Sequence, residues 1–363
     1  MIVRLATADD DSAIAALMES VPMPGAMRLV FGCRPSFFQA LRVAGDRPLV
    51  CVAQDGGQLV AVGAVTCREV FLNGRIATLR YLSALRVAPQ GRGSAALARG
   101  FACLRTALAD WPGELTLTSI LEENVAAQLV LTGARAGLPP YVPLGGCVTR
   151  VVAAGRAAQS RTPHDVEIVA GGDADEIAGF IATHGPSRNF YPVCRAEDLG
   201  GREDSAFPGL TSDDILVARD RGGILGVMGC WDVRRFRQTR VAGYATWLGW
   251  ARPWLNLGAR FARRPLLPQP GATLGLAYGT LTLIRNNEPR VFGGLLEATL
   301  DMARRRGLER LVVALAAGDP LGVVFNGRPH HAIRSRIFHV HFEPPATPHA
   351  PDGRTPHFEA AML

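Results

Sequence analysis

Gln90-Gly91-Arg92-Gly93-Ser94-Ala95 stands between an apolar run, Leu82 to Val87, and a segment in which Leu97, Phe101, Leu104 and Leu108 recur at helical spacing. The pattern predicts a strand, a tight glycine-rich loop and an amphipathic helix from Ser94 to about Ala109, stopped by Trp111-Pro112-Gly113. A loop that holds a pyrophosphate needs successive backbone N–H groups turned toward the anion, no side chains in the way and a helix N-terminus behind them. Gly91 and Gly93 remove the side chains, the helix supplies the dipole and Arg92 adds charge. A lone loop of this kind is as readily a plain strand-to-helix turn, so its surroundings decide its meaning.

Upstream, Ile2 to Leu5 reads as a strand, and Asp9-Asp10-Asp11 leads into a helix ending near Glu19, with acidic residues at the positive end of its dipole. Leu49 to Ala53, Leu59 to Val70 and Ile76 to Val87 read as three strands joined at Asp55-Gly56-Gly57 and Asn73-Gly74, a meander. Downstream, Leu115 to Leu121 is a strand, and Asn124 opens a helix that ends before Gly133 or Gly137. The order is α/β with a mixed sheet.

Within that order, [R/Q]-x-x-G-x-[G/A] is matched at Gln90, Gly93 and Ala95, and residues 2–150 resemble the GNAT N-acetyltransferase superfamily. The resemblance implies an acetyl-CoA or other acyl-CoA co-substrate held by Gln90, Gly91, Arg92, Gly93, Ser94 and Ala95. It also implies backbone contacts from Leu85, Arg86 and Val87 and a contact from Asn124, which opens the following helix. The implied reaction is direct attack of an amine, on a small molecule or peptide, upon the thioester in a ternary complex, with a base for the ammonium proton and an acid for the thiolate. The chain departs from the family at both roles. Arg80 and Tyr81 stand where many members carry Glu, and Val130 and Leu131 where many carry Tyr. Glu69, Glu122 and Glu123 are the substitute bases, and Tyr81 and Tyr141 the substitute acids. A non-catalytic acyl-CoA sensor and a transferase with a long-chain acyl donor are the rival readings.

The 363 residues suit two domains, and 48% apolar with 20% charged residues is a globular balance. The net charge of +7 comes entirely from arginine, with no lysine, and supports an anionic partner only weakly; no nucleic acid is expected. Seven scattered cysteines without a C-x-x-C argue against a zinc knuckle or disulfide framework and for a reducing cytoplasm. Met1 to Asp11 lacks the apolar run of a signal peptide, and no stretch approaches the ~18 apolar residues of a membrane span. Pairing of two copies through sheet or helix faces is compatible with such a fold.

Residues 153–165 are small and polar and read as a linker between a first domain (1–152) and a second (166–343), followed by a mobile tail (344–363). The second domain repeats the element order. In its loop, Glu288 and Val291 replace the Gln and the first Gly, which would repel and block a pyrophosphate, so two tandem GNAT-like domains with a degenerate second copy are expected. Trp231 to Gln238 is a candidate interface. Trp247, Trp250 and Trp254 fall at helical spacing among arginines, which suits a membrane-surface helix or a lid over an apolar acceptor but is read as a packed insertion facing a core. His339 and His341 share a strand face, too few ligands for a metal.

Overall fold

In the computed structural model, residues 1–23, 25–93, 95–154, 163, 165–261, 266–342 and 350–363 are described. The first half runs β1 (Ile2–Leu5), α1 (Asp11–Ser20), β2 (Met27–Gly32), α2 (Phe37–Arg42), β3 (Asp46–Asp55), β4 (Gln58–Leu72), β5 (Arg75–Val87), α3 (Ala96–Leu108), β6 (Leu115–Leu121), α4 (Val125–Leu131) and β7 (Tyr141–Ala153). Left-handed backbone at Gly56 and Gly57, and again at Asn73 and Gly74, makes the two-residue turns that fold β3, β4 and β5 into the antiparallel meander. Ala96, Phe101, Leu104 and Leu108 bury one stripe of α3 on that sheet, against Val65 and Leu82. At the other end of the helix, Arg80 donates to the carbonyls of Leu108, Trp111 and Pro112, a cation placed on the negative end of the dipole. Gly113 is required there, because a Cβ would stand 2.4 Å from the Arg80 side chain.

The second half runs β8 (Glu167–Ala170), α5 (Ala174–His184), β9 (Tyr191–Pro192), β10 (Ile215–Asp220), β11 (Gly223–Trp231), β12 (Gln238–Tyr244), α6 (Thr246–Phe261), β13 (Leu276–Ile284), α7 (Pro289–Arg305), β14 (Arg310–Ala316) and β15 (His331–Val340). The sheets of the two halves are one. Its order is β1-β3-β4-β5-β6-β15-β7-β14-β13-β11-β10-β8, with β9 paired to β4. The strands are exchanged at the middle: β15 of the second half lies between β6 and β7, and β7 of the first half pairs with β14. A small second sheet, β12 with β2, also joins the halves.

Two expectations are corrected here. The tail from residue 344 is not mobile throughout: among its described residues, His357, Phe358, Glu359, Ala360 and Ala361 are buried, because they fill the core between the halves. The tryptophans of α6 do not face a core; Trp247, Trp250 and Trp254 are exposed. The linker expected at 153–165 falls mostly on residues 155–162 and 164, outside those described. All seven cysteines are unpaired.

Candidate active site

β5 and β6 run parallel and are joined only by Leu79–Leu115, Arg80–Thr116 and Tyr81–Leu117. Beyond those pairs no ladder links them, so Leu82 to Val87 presents a strand edge to an open wedge. Thr118 spans its base, donating from Oγ1 to the Leu82 carbonyl at 2.8 Å. On its β4 side the same stretch is bulged: Ala64 faces Ser83 and Val62 faces Arg86, and the extra residue leaves Ala84 with a φ of 55°. A bulge re-aims the backbone where it occurs. The Ser83 hydroxyl beside it is buried and has no hydrogen-bond partner among the described residues.

The glycine loop closes the wide end of the wedge. Gly91 is buried against β4, where a Cβ would stand 3.0 Å from the Val60 carbonyl oxygen, so its role is close packing. Gly93 has a φ of +74° and open space where a Cβ would point. Ala95 is the N-cap of α3 and supplies no side-chain cap hydrogen bond. Gln90 and Arg92 are exposed beside it, and Ser94 lies outside the described residues. Leu85 and Val87 pack toward α3, whereas Arg86 points to the other face, where burial lowers its pKa and Cys33 is its neighbour. Asn124 caps α4 through its own Oδ1, accepting from the Ala127 N–H at 3.1 Å.

The four candidate catalytic residues are dispersed. Tyr81 lies at the base of the wedge on the face away from α3, its hydroxyl 2.8 Å from Ser119 Oγ. Burial pushes its pKa up to about 12, against the smaller opposing effect of Ser119. Tyr141 is on the opposite face, ringed by Phe101 and Phe338, and burial raises its pKa too. Glu123 is exposed in the turn after β6, at the mouth of the wedge, next to the likewise exposed Glu122. Glu69 pairs with Thr78 across the ladder, three residues before Tyr81 and so about 10 Å on the wrong side of the wedge, and forms an ion pair with Arg195 at 2.5 Å. Residues not anticipated from sequence are Ser83, Thr118 and Ser119. A cavity of about 30 Å³ below Tyr81, lined also by Arg68, His357 and Glu359, was equally unforeseen.

The second half repeats the wedge. β13 and β14 are joined only by Leu276–Arg310, Ala277–Leu311 and Tyr278–Val312, and Leu281, three residues past Tyr278, has a positive φ of 49°, as Ala84, three past Tyr81, has one of 55°.

No family sequence model matches the chain, and a sequence comparison with curated proteins finds no match. Solved structures do match in three dimensions. A GCN5-related N-acetyltransferase from Sphaerobacter thermophilus superposes with a TM-score of 0.57 at 15% identity, over 94% of this chain and 96% of that one. A tandem GNAT protein from the clavulanic acid biosynthesis pathway gives 0.54 at 12% identity, over 94% and 99%. The N-myristoyltransferase of Saccharomyces cerevisiae, solved with myristoyl-CoA bound, gives 0.56 at 12% identity, over 93% and 82%. The fold is a tandem GNAT fold.

The two GNAT copies differ at the wedge. In the second, Glu359 from the end of the chain enters it: Oε1 accepts from the Leu281 N–H at 2.8 Å and Oε2 from Thr280 Oγ1 at 2.7 Å. His357 Nε2 lies 3.0 Å from the same carboxylate. The N-terminus of α7 is likewise occupied by the chain itself, since Glu288 caps it and accepts from the Arg290 N–H. In the second copy the chain's own carboxylates, Glu359 and Glu288, thus take both the bulge N–H and the helix-end N–H, and Val291 is buried at the position of Gly93. In the first copy, Ser83 and Ala84 hold the places of Thr280 and Leu281, and the Ser83 hydroxyl has no partner among the described residues. Trp231 of the expected interface is buried, with its indole N–H on the Pro208 carbonyl, and the charge of Arg237 from the same stretch reaches Tyr81. The His339 and His341 rings lie with centroids 3.7 Å apart, tilted by 41°, and among the described residues no group of three or more metal-ligating side chains occurs.

Proposed function

We propose that the first GNAT copy transfers an acyl group, acetyl or longer, from acyl-CoA to an amine, with the second copy as a closed scaffold. The observation that carries this reading is the asymmetry between two otherwise repeated wedges. Where the second holds a carboxylate against a hydroxyl and a bulge N–H, the first presents Ser83 Oγ unpartnered at the equivalent place. A buried hydroxyl without a partner costs about 1–3 kcal/mol, and a carbonyl oxygen of a ligand would satisfy it.

The residues fit a CoA thioester. Gly93 has open space where a side chain would point, Ala95 brings no side-chain cap of its own to the α3 N-terminus, and Arg92 is exposed beside both. Leu82 to Val87 offers an unpaired strand edge for an amide-bearing arm, and Asn124 stands on the far side of the mouth. Bound there, the thioester supplies an activated acyl carbon for attack by an amine. Ser83 and the Ala84 N–H would donate to an oxygen that gains negative charge. Tyr81, which keeps its proton up to about 12, is a donor rather than a base. Glu123, exposed at the mouth, is the base this reading retains, acting through water, and Glu69 is dropped because Arg195 holds it at the other end of the strand.

The test is calorimetric titration with acetyl-CoA, paired with thiol release across a panel of amines. Gly93→Glu should abolish binding while leaving the circular dichroism spectrum unchanged, whereas Glu288→Ala should leave binding intact. Undiminished binding by Gly93→Glu defeats the proposal. Binding without release from any amine favours the non-catalytic sensor.

A further inference from the structure

Helix α6 is presented inside out. Its inward side carries the polar residues: Asn256 exchanges hydrogen bonds with the backbone of Leu267, and Arg252 donates to the carbonyls of Leu267 and Pro268. Leu248 is its one buried large side chain. The opposite side is apolar and in solvent: Trp247 is 66% exposed, Trp250 81%, Trp254 76% and Phe261 84%, with Leu257 at 48%. At 100° per residue these five fall within about 80° of the helix surface and run about 21 Å along it. Scattered exposed hydrophobics need no explanation, but a contiguous aromatic stripe of this kind marks an interaction surface.

Charge selects the occupant. From Val241 to Ile284 the sequence holds Arg252, Arg260, Arg263 and Arg264 and no Asp or Glu. A second copy of the chain would bring a like charge against it, and Gly249, Pro253 and Gly258 make the helix a poor coiled-coil strand despite the 3-4-3-4 spacing of the stripe. An anionic bilayer surface meets both features, because indole rings settle at headgroup level and arginines are drawn to acidic lipid. At 16 residues α6 is too short to cross, and no helix among the described residues is long and apolar enough to do so. We propose that α6 is a membrane-surface anchor, lying in the interface of an anionic lipid bilayer with its Trp247–Phe261 stripe inserted. The anchor stands on α6 alone and does not depend on the acyltransferase reading.

The test is co-sedimentation of the full chain with vesicles of phosphatidylcholine, with and without 30% phosphatidylglycerol, read with tryptophan emission. We expect at least tenfold tighter binding to the anionic vesicles, a blue-shifted emission, and release by salt. Trp250→Ser with Trp254→Ser should lose that binding at least tenfold while keeping the parental melting temperature and acetyl-CoA affinity. Absence of binding to anionic vesicles, equal binding to neutral ones, or binding undiminished in the double variant would each overturn the anchor. So would a dimer that dissociates in the double variant, since the stripe would then be covered by a second copy.

Discussion

The pair Ser83 and Thr280 invites opposite substitutions with opposite readouts, because the two hydroxyls occupy equivalent places in the two wedges. Thr280 Oγ1 donates 2.7 Å to the buried Glu359 carboxylate, so Thr280→Ala removes a hydrogen bond to a charged group. That costs about 1.5–3 kcal/mol, a large share of the ~5–15 kcal/mol that holds a typical domain folded. Ser83 Oγ has no partner among the described residues, so Ser83→Ala should lose no hydrogen bond and remove an unsatisfied buried hydroxyl. Its stability should be unchanged or slightly raised, by up to about 1 kcal/mol. Activity should divide the other way. Loss of one donor to a developing oxyanion typically lowers turnover ~10²–10³-fold, a loss expected for Ser83→Ala and not for Thr280→Ala. Guanidinium denaturation at pH 7 reads the first quantity, and thiol release from acetyl-CoA with the best amine of the panel reads the second. If Ser83→Ala turns over at the parental rate, or is destabilised as much as Thr280→Ala, the equivalence of the wedges has no functional content.

Glu359→Ala should cost about 3–5 kcal/mol by denaturation, because it strands His357, the Leu281 N–H and Thr280 in the core between the halves; a midpoint close to the parental one would mean that the tail is dispensable. His339 gives a pH test. Burial, reinforced by His341, holds its pKa down to about 4, while the unfolded chain takes up the proton near 6.5, so stability falls as pH drops from about 6.5 toward 4. His339→Phe should flatten the loss of melting temperature between pH 7 and pH 5, and an equal loss in both proteins would refute the assignment.

What the sequence disclosed was local in origin. The loop, α3 and the meander are encoded by turn glycines, helical spacing and strand runs within a few residues of each other, and they lie where those signals put them. No local pattern marks β2, β7 or β12 as strands. β2 and β12 pair with each other across more than 200 residues, and β7 gains its partners only from β14 and β15, so no nearby pattern announces them. α6 departs from its pattern for a different reason. Periodicity reveals that a helix has an apolar side but not whether that side meets a core, and here Asn256 and Arg252 found backbone partners first.

The wedge itself combines both kinds of information. Its frame follows from the parallel β5–β6 pair joined through α3, but its chemistry depends on which hydroxyl is left without a partner. Ser83 and Thr280 are indistinguishable by local pattern, each the second residue past a Tyr in an apolar strand. They differ because Glu359, 79 residues beyond Thr280, is brought to one and not to the other. The exchange of β15 into the first half accounts for that choice. It returns the chain to the middle of the sheet, and the residues that follow, from Asn189-bonded His357 to Ala361, pack between the halves where the second wedge opens. The fold thus brings a carboxylate of the chain to Thr280 in the second wedge and leaves Ser83 in the first without a partner among the described residues.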